Sequence, residues 1–299
     1  MKGGTFSMRF FHSLLRPEEN AGRAMRWAHR VWVFLWLTAF GLGIGLLSLY
    51  LTANSYTGID AQALWASYFK LPLLVVMNLL MPLLLVYLGF FLFARPWAAY
   101  LLSAVPFLGL ALASYYKIQL RGDPVLASDL RLLRTAGGIM GNYTFELTEP
   151  VKLVIAGFAG MLVLSLVLLR RERMSQRGRL AGLMVMLALT LASYFEFYTS
   201  ADIYEKTANN SLINPWSEVE IYLSRGTTYP FLYSVKDMFP DAPSGYRESE
   251  ATGTLAEYEN ADIPEEQKIT FVGIMLEAFS DLTDFPVLDE VPAIHKIYE

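Results

Sequence analysis

The stretch "KITFVGIMLEAFSDLTDFP", Lys268 to Pro286, sets up chemistry more plainly than any other part of the chain. An apolar run, Ile269 to Leu276, is bounded by Lys268 and Glu277. At about eight residues it is too short to cross a bilayer as a helix. Its lack of alternation predicts a central strand of a parallel or mixed sheet, covered on both faces. Ligands of open α/β sheets bind beyond the carboxyl ends of the strands, which puts Glu277 in position to hold a hard divalent cation such as Mn²⁺ or Mg²⁺ through its carboxylate oxygens. The same residue serves equally well as an acid in the first turn of a helix, with Ser280 or Asp281 as a cap. Ser280 has no His or Lys beside it to act as a base, so no catalytic residue is assigned.

A second group of residues suits phosphate. In "YYKIQLRGDPVLASDLRLLRTAGG", Arg121, Arg131 and Arg134 accompany Val125, Leu126, Leu130, Leu132 and Leu133, with Gly137 and Gly138 as a stop. This predicts a short amphipathic helix at a membrane surface, whose arginines can form bidentate bonds to lipid phosphates. The alternative is that they balance Asp123 and Asp129 on a solvated face.

The elements that must position these residues follow from hydropathy. Of 299 residues, 54% are hydrophobic, and the excess lies in five nearly uncharged blocks: Val31 to Leu51, Leu71 to Ala94, Pro96 to Ser114, Val151 to Leu169 and Leu180 to Tyr198. Each is long enough for a hydrocarbon core about 30 Å thick, so five transmembrane helices are predicted. Arg9, Arg16, Arg23, Arg26 and Arg30 before the first block, Arg95 in the second connection, and Arg170, Arg171, Arg173, Arg177 and Arg179 in the fourth fall on one side of a five-span chain. Basic flanks resist translocation, which predicts a multi-pass cell-membrane protein with a cytoplasmic N-terminus and an extracellular C-terminus. From Ser200 onward six Lys or Arg stand against nineteen Asp or Glu, a balance that repels nucleic-acid phosphates and excludes that partner. The chain has no cysteine, which excludes disulfides and thiolate metal sites, and only three histidines, His12, His29 and His295.

Among the polar residues in the blocks, Asn78 is expected to hydrogen-bond across the bundle and Lys152 to snorkel from a helix end. Gly41, Gly43 and Gly45 either let two helices approach closely or reflect the general frequency of glycine in membrane spans. After the fifth block, "NNSLINPWSEVEIYLSRGTTYPFLYSVKDMFPD" reads either as two amphipathic helices lying at the outer leaflet or, equally, as a connector packed on its own domain, with Asn214 as N-cap, Pro215 at the first helical position, a break at Gly226 and a second helix over Tyr229 to Phe239. The acidic stretch that follows reads as a linker. The domain plan is thus a basic leader over 1–30, a five-helix membrane domain over 31–198, interfacial helices and linker over 199–267, and the entry to an α/β domain over 268–299.

Five spans, an external interfacial segment with "GDPVLASDLRLLRTAG", the strand "FVGIMLEAFSD" and the closing "VPAIHKIYE" resemble the lipoteichoic acid synthase family of membrane phosphoglycerol transferases, in the alkaline phosphatase and sulfatase superfamily. The resemblance implies an α-helical membrane protein followed by the start of an extracytoplasmic α/β, alkaline phosphatase-like domain. It implies transfer of glycerol phosphate from phosphatidylglycerol to an extracellular polymer or glycolipid acceptor, with manganese more usual than magnesium, and it matches Glu277 to the first metal-ligand glutamate. The family's threonine nucleophile and its Asp-His metal ligands have no counterpart among these residues, so the expectation is an N-terminal portion, inactive alone. Other readings are a sulfatase, a phosphoethanolamine transferase or a non-catalytic membrane scaffold.

Overall fold

The computed structural model describes residues 22–132, 137, 144–169, 174–238, 243–256, 264, 266, 268, 269 and 273. The chain divides into two units at Pro240. In the first unit, α1 (Arg23–Ala53), α3 (Pro72–Phe93), α4 (Pro96–Arg121), α5 (Glu149–Leu168) and α6 (Gln176–Ser193, continued by a π turn Tyr194–Tyr198) are each long and apolar enough to cross a membrane. The short α2 (Ala61–Tyr68) lies between α1 and α3. In the second unit, α10 (Glu248–Ala256) is helical where a linker is expected, and Arg247 pairs with Glu250 at 2.8 Å. Among the described residues there is no strand. Most of the "ITFVGIML" run, Glu277, Ser280 and Asp281 lie outside the described residues, as do Arg134 and residues 1–21 of the leader.

Each span starts and stops for local reasons. Pro72 and Pro96 sit at the first turns of α3 and α4, where the missing N–H has no partner to lose. α4 closes on Gly122 at φ +74°, whose N–H donates to Ile118 O. This gives α4 seven residues more than hydropathy alone assigns, through the polar turn that carries Lys117 and Arg121. α1 likewise starts at Arg23, eight residues before its apolar block, and α6 starts at Gln176 under the Ser175 cap rather than at Leu180.

α1, α3 and α4 pack together as the core, with α3 antiparallel to the other two. Gly41 and Gly45 face α3 so closely that a Cβ added at Gly41 would stand 2.7 Å from Leu83 Cα, and one at Gly45 would stand 3.1 Å from Leu79 Cα and meet the Leu79 side chain. The glycines therefore do permit close approach, at α1 to α3; Gly43 instead faces the Met161 side chain of α5. Ser103 Oγ donates to Pro82 O at 2.9 Å and Tyr100 Oη to Phe158 O at 2.7 Å, joining α4 to both neighbours. Such bonds satisfy polar groups that the bilayer interior cannot. Gly41→Val meets backbone, so overpacking of about 1–3 kcal/mol is expected, a loss of roughly 5 °C in melting temperature in detergent. Gly43→Ala displaces only the flexible end of Met161 and is expected to stay within about 1 °C.

α6 is the outlier. It packs against α3 and buries no residue over Gln176–Ser193, although Tyr198 at its end is buried. At one end of the bundle Arg179 donates to Phe91 O and, at 2.6 Å, to Leu92 O, capping the last carbonyls of α3 with a cation. Arg23, Arg26 and Arg30 at the start of α1, Arg95 between α3 and α4, and Arg177 share this end with Arg179. Lys152 at the opposite end does not snorkel alone; it pairs with Glu149 at 2.7 Å on an exposed surface.

Candidate functional site

The end opposite the arginines is closed by α7 (Ala201–Lys206), α8 (Glu218–Ser224), α9 (Thr228–Ser234) and a 3₁₀ turn, Ala127–Leu132. Of the two readings of this segment, Tyr222 to Pro230 follows packing on protein rather than a position on the membrane surface: it is buried throughout. Backbone carried into the bundle must have its polar groups met by protein. Asn78 of α3 meets several, its Nδ2 donating to Arg225 O at 2.9 Å and to Leu74 O at 3.0 Å, while its Oδ1 accepts from Tyr229 N at 3.2 Å. Tyr68 Oη donates to Leu223 O at 2.8 Å, and the Thr52 and Thr227 hydroxyls bond at 2.6 Å. Tyr198 Oη donates to Met77 O at 2.7 Å, tying the end of α6 to the same turn of α3. Gly226, at φ +83°, lets the chain reverse against Asn78, which is the structural content of the break expected there.

One local detail also differs from expectation. Ser217, not Asn214, caps α8 by accepting from Glu220 N; Asn214 Oδ1 instead accepts from Trp216 N in a turn. Asn209 is buried, with Nδ2 donating to Ser67 Oγ at 2.7 Å.

Arg225, 7% exposed, is a buried cation with no acidic partner among the described residues. Its Nε donates to Tyr204 O and its Nη1 to Ile221 O, both at 3.2 Å, and its guanidinium lies 4.4 Å from the Tyr204 ring centre. Tyr204 in turn stacks on Tyr233 at 3.8 Å and 9°, and Lys236 Nζ sits 3.6 Å from the Tyr233 ring centre. Two cations and two π-faces thus form a stack in which each charge has an aromatic surface. Burial pushes the Tyr229 phenol up to about 12 and the Tyr222 phenol well above its ordinary value, so both stay protonated at neutral pH. The Tyr222 hydroxyl, 2.9 Å from Val125 O and 3.1 Å from Thr227 O, donates to one at a time and links the inserted segment to the loop after α4.

Beside this cap a half-open groove of about 1110 Å³ runs between α4 and α6, floored by Met81 and Leu85 of α3. Phe107, Leu110 and Leu191 make it apolar, and its end under the cap carries Lys117, Arg121 and Asp129. Lys117 Nζ bonds Asp129 Oδ2 at 2.8 Å and Pro124 O at 2.9 Å, while Asp129 Oδ2 also accepts from Leu126 N, pinning the 3₁₀ turn. Arg121 has no hydrogen bond or ion pair among the described residues and is exposed at the groove's edge.

Of the three arginines read as phosphate contacts, Arg121 alone lines the groove. Arg131 Nη1 turns to Met238 O at 3.3 Å, away from a shared site, and Arg134 is outside the described residues. Of the helix expected around them, Ala127–Leu132 is a 3₁₀ turn, and residues 133–136 lie outside the described residues. Sequence reasoning missed Lys117 as the partner of Asp129; the available signal was its place at the polar end of an apolar block. Among the described residues no three of His, Cys, Asp and Glu gather, and Glu277 lies beyond them. Set against protein-family models, curated proteins and solved structures, the chain finds no match.

Proposed function

We propose that this chain is the membrane part of an enzyme that transfers glycerol phosphate from phosphatidylglycerol to a polymer or glycolipid acceptor outside the cell. The observation that carries the reading is the apolar run of Ile269 to Leu276 closed by Glu277, with the resemblance it bears to the phosphoglycerol transferases. Glu277 is the residue proposed to bind manganese, or magnesium in its place. Orientation is supported by the arginines gathered at one bundle end, which the basic-loop rule assigns to the cytoplasm, so the cap and groove face outward. A lipid-borne donor is supported by an apolar groove that meets cations at that outward end.

The test uses the chain together with any sequence that follows it in its gene, in vesicles containing phosphatidylglycerol and Mn²⁺. Diacylglycerol release coupled to glycerol phosphate in the acceptor is the expected result. Glu277→Gln, which removes one carboxylate ligand at nearly constant volume, is expected to lower turnover on the order of 10³-fold, the several kcal/mol a Lewis-acid ion contributes. An unchanged rate in the variant overturns the role of Glu277. Consumption of phosphatidylethanolamine, or of a sulfate ester, in place of phosphatidylglycerol moves the protein to a different donor within the superfamily.

A further inference from the structure

We infer that the groove between α4 and α6 seats one anionic glycerophospholipid, with acyl chain along the apolar wall and phosphate at Arg121. The inference deepens the transferase reading by giving its donor a place, and rests on it for which leaflet the lipid comes from.

The dimensions match a single leaflet. From Pro106, at the deep end of the lining, to Lys117 is eleven residues of α4, or about 16 Å of helix. Half of a hydrocarbon core of roughly 30 Å is about 15 Å. A chain lying from Lys117 to Pro106 therefore reaches the bilayer midplane with its polar end at headgroup level. Because α6 packs on α3 and buries none of its Gln176–Ser193 residues, the groove is walled on one side by a loosely held helix, and lipid can enter from the membrane.

Charge then selects the head. Lys117 is already committed to Asp129 and to Pro124 O, so this pair adds no net charge. Among the described residues Arg121 is left as the uncompensated cation of the lining, and its planar fork matches a phosphate diester bidentately. A zwitterionic head brings its own ammonium to the same arginine and loses that preference.

Gly109 provides a clean way to close the groove. It belongs to the lining, and a Cβ built on it meets nothing within 4 Å, so a large side chain there occupies the groove without disturbing the bundle. The 299-residue chain, purified in a neutral detergent, is mixed with phosphatidylglycerol or with phosphatidylcholine of the same acyl chains, and retained lipid is counted by native mass spectrometry. The expected result is at least tenfold preference for phosphatidylglycerol, undiminished by free glycerol phosphate. Gly109→Trp is expected to reduce retention of both lipids at least tenfold, whereas Val163→Trp, on the exposed side of α5, leaves it unchanged. Arg121→Gln is expected to bring phosphatidylglycerol down to the level of phosphatidylcholine while the acyl chain still binds.

Equal loss in Gly109→Trp and Val163→Trp, or in neither, overturns the groove as the seat and leaves only annular lipid. Retained preference in Arg121→Gln overturns the headgroup assignment, and displacement by free glycerol phosphate shows a soluble-phosphate site instead. Retention is read without turnover, so its failure is distinct from a failure of the transferase reading.

Discussion

Gly226→Val is expected to drive the Leu223 to Pro230 segment out of the bundle. Position 226 stands at φ +83°, where a β-branched residue costs about 1–3 kcal/mol in the backbone alone. The new Cβ would also stand 2.5 Å from Asn78 Oδ1 and 2.6 Å from Leu49 Cδ2. Leu49 can swing aside, but Asn78 cannot yield without releasing its bonds to Arg225 O and Tyr229 N. Strain and lost bonds together come to about 4 kcal/mol. The natural chain has no cysteine, so a single Ser224→Cys reporter, buried at 0% exposure, reads the opening directly through maleimide labelling. Labelling is expected to accelerate on the order of 10³-fold, since each 1.4 kcal/mol is tenfold. Equal rates in the two backgrounds would show that the segment tolerates a side chain at 226 and that Asn78 does not hold it.

Asn78→Leu approaches the same contact from the other side. The two side chains share the same branched skeleton, so no cavity opens in α3, and what is lost is the pairing of the Arg225 carbonyl and the Tyr229 amide. Each group left buried and unsatisfied costs about 1–3 kcal/mol, although pairs within membrane bundles measure lower, near 0.6–1.7 kcal/mol. The expected sum is about 2–3 kcal/mol, read as hydrogen exchange at the Tyr229 amide that is roughly 30- to 100-fold faster. Because the strain at Gly226 acts through Asn78, the double variant Gly226→Val with Asn78→Leu is expected to cost clearly less than the two separate losses combined. Full additivity would mean that the two residues hold the segment independently.

How much was legible in the sequence differs from residue to residue. The side-chain bond expected of Asn78 exists, but its partners, Arg225 and Tyr229, lie about 150 positions away and nothing near Asn78 points to them. "SEVEIYLSRGTTYPFLYS" carries the same short-range pattern whether its apolar side meets lipid or protein, so both positions stay open from sequence; only the hydroxyls of Tyr68 and Thr52 and the Asn78 amide draw it inward. Arg121 was legible as a candidate phosphate contact because a cation at the polar end of an apolar block is visible locally. That Arg131 turns to Met238 was not, since it depends on where the chain returns after more than 100 residues.

The sequence by itself determined the five spans, the common side of their arginines, the exclusion of thiol chemistry, and the acid-ended run at Glu277 that motivates the transferase reading. Each of these follows from composition over a short window, which is all that hydropathy and charge require. Only the tertiary structure decided that Tyr222 to Pro230 enters the bundle and that α6 stands away from α4 to leave a groove. Nor could any window show that, of the groove's cations, Lys117 is neutralised by Asp129 while Arg121 finds no partner among the described residues. These outcomes depend on which distant backbone groups find partners in a medium without water, and that balance is settled between elements rather than within them.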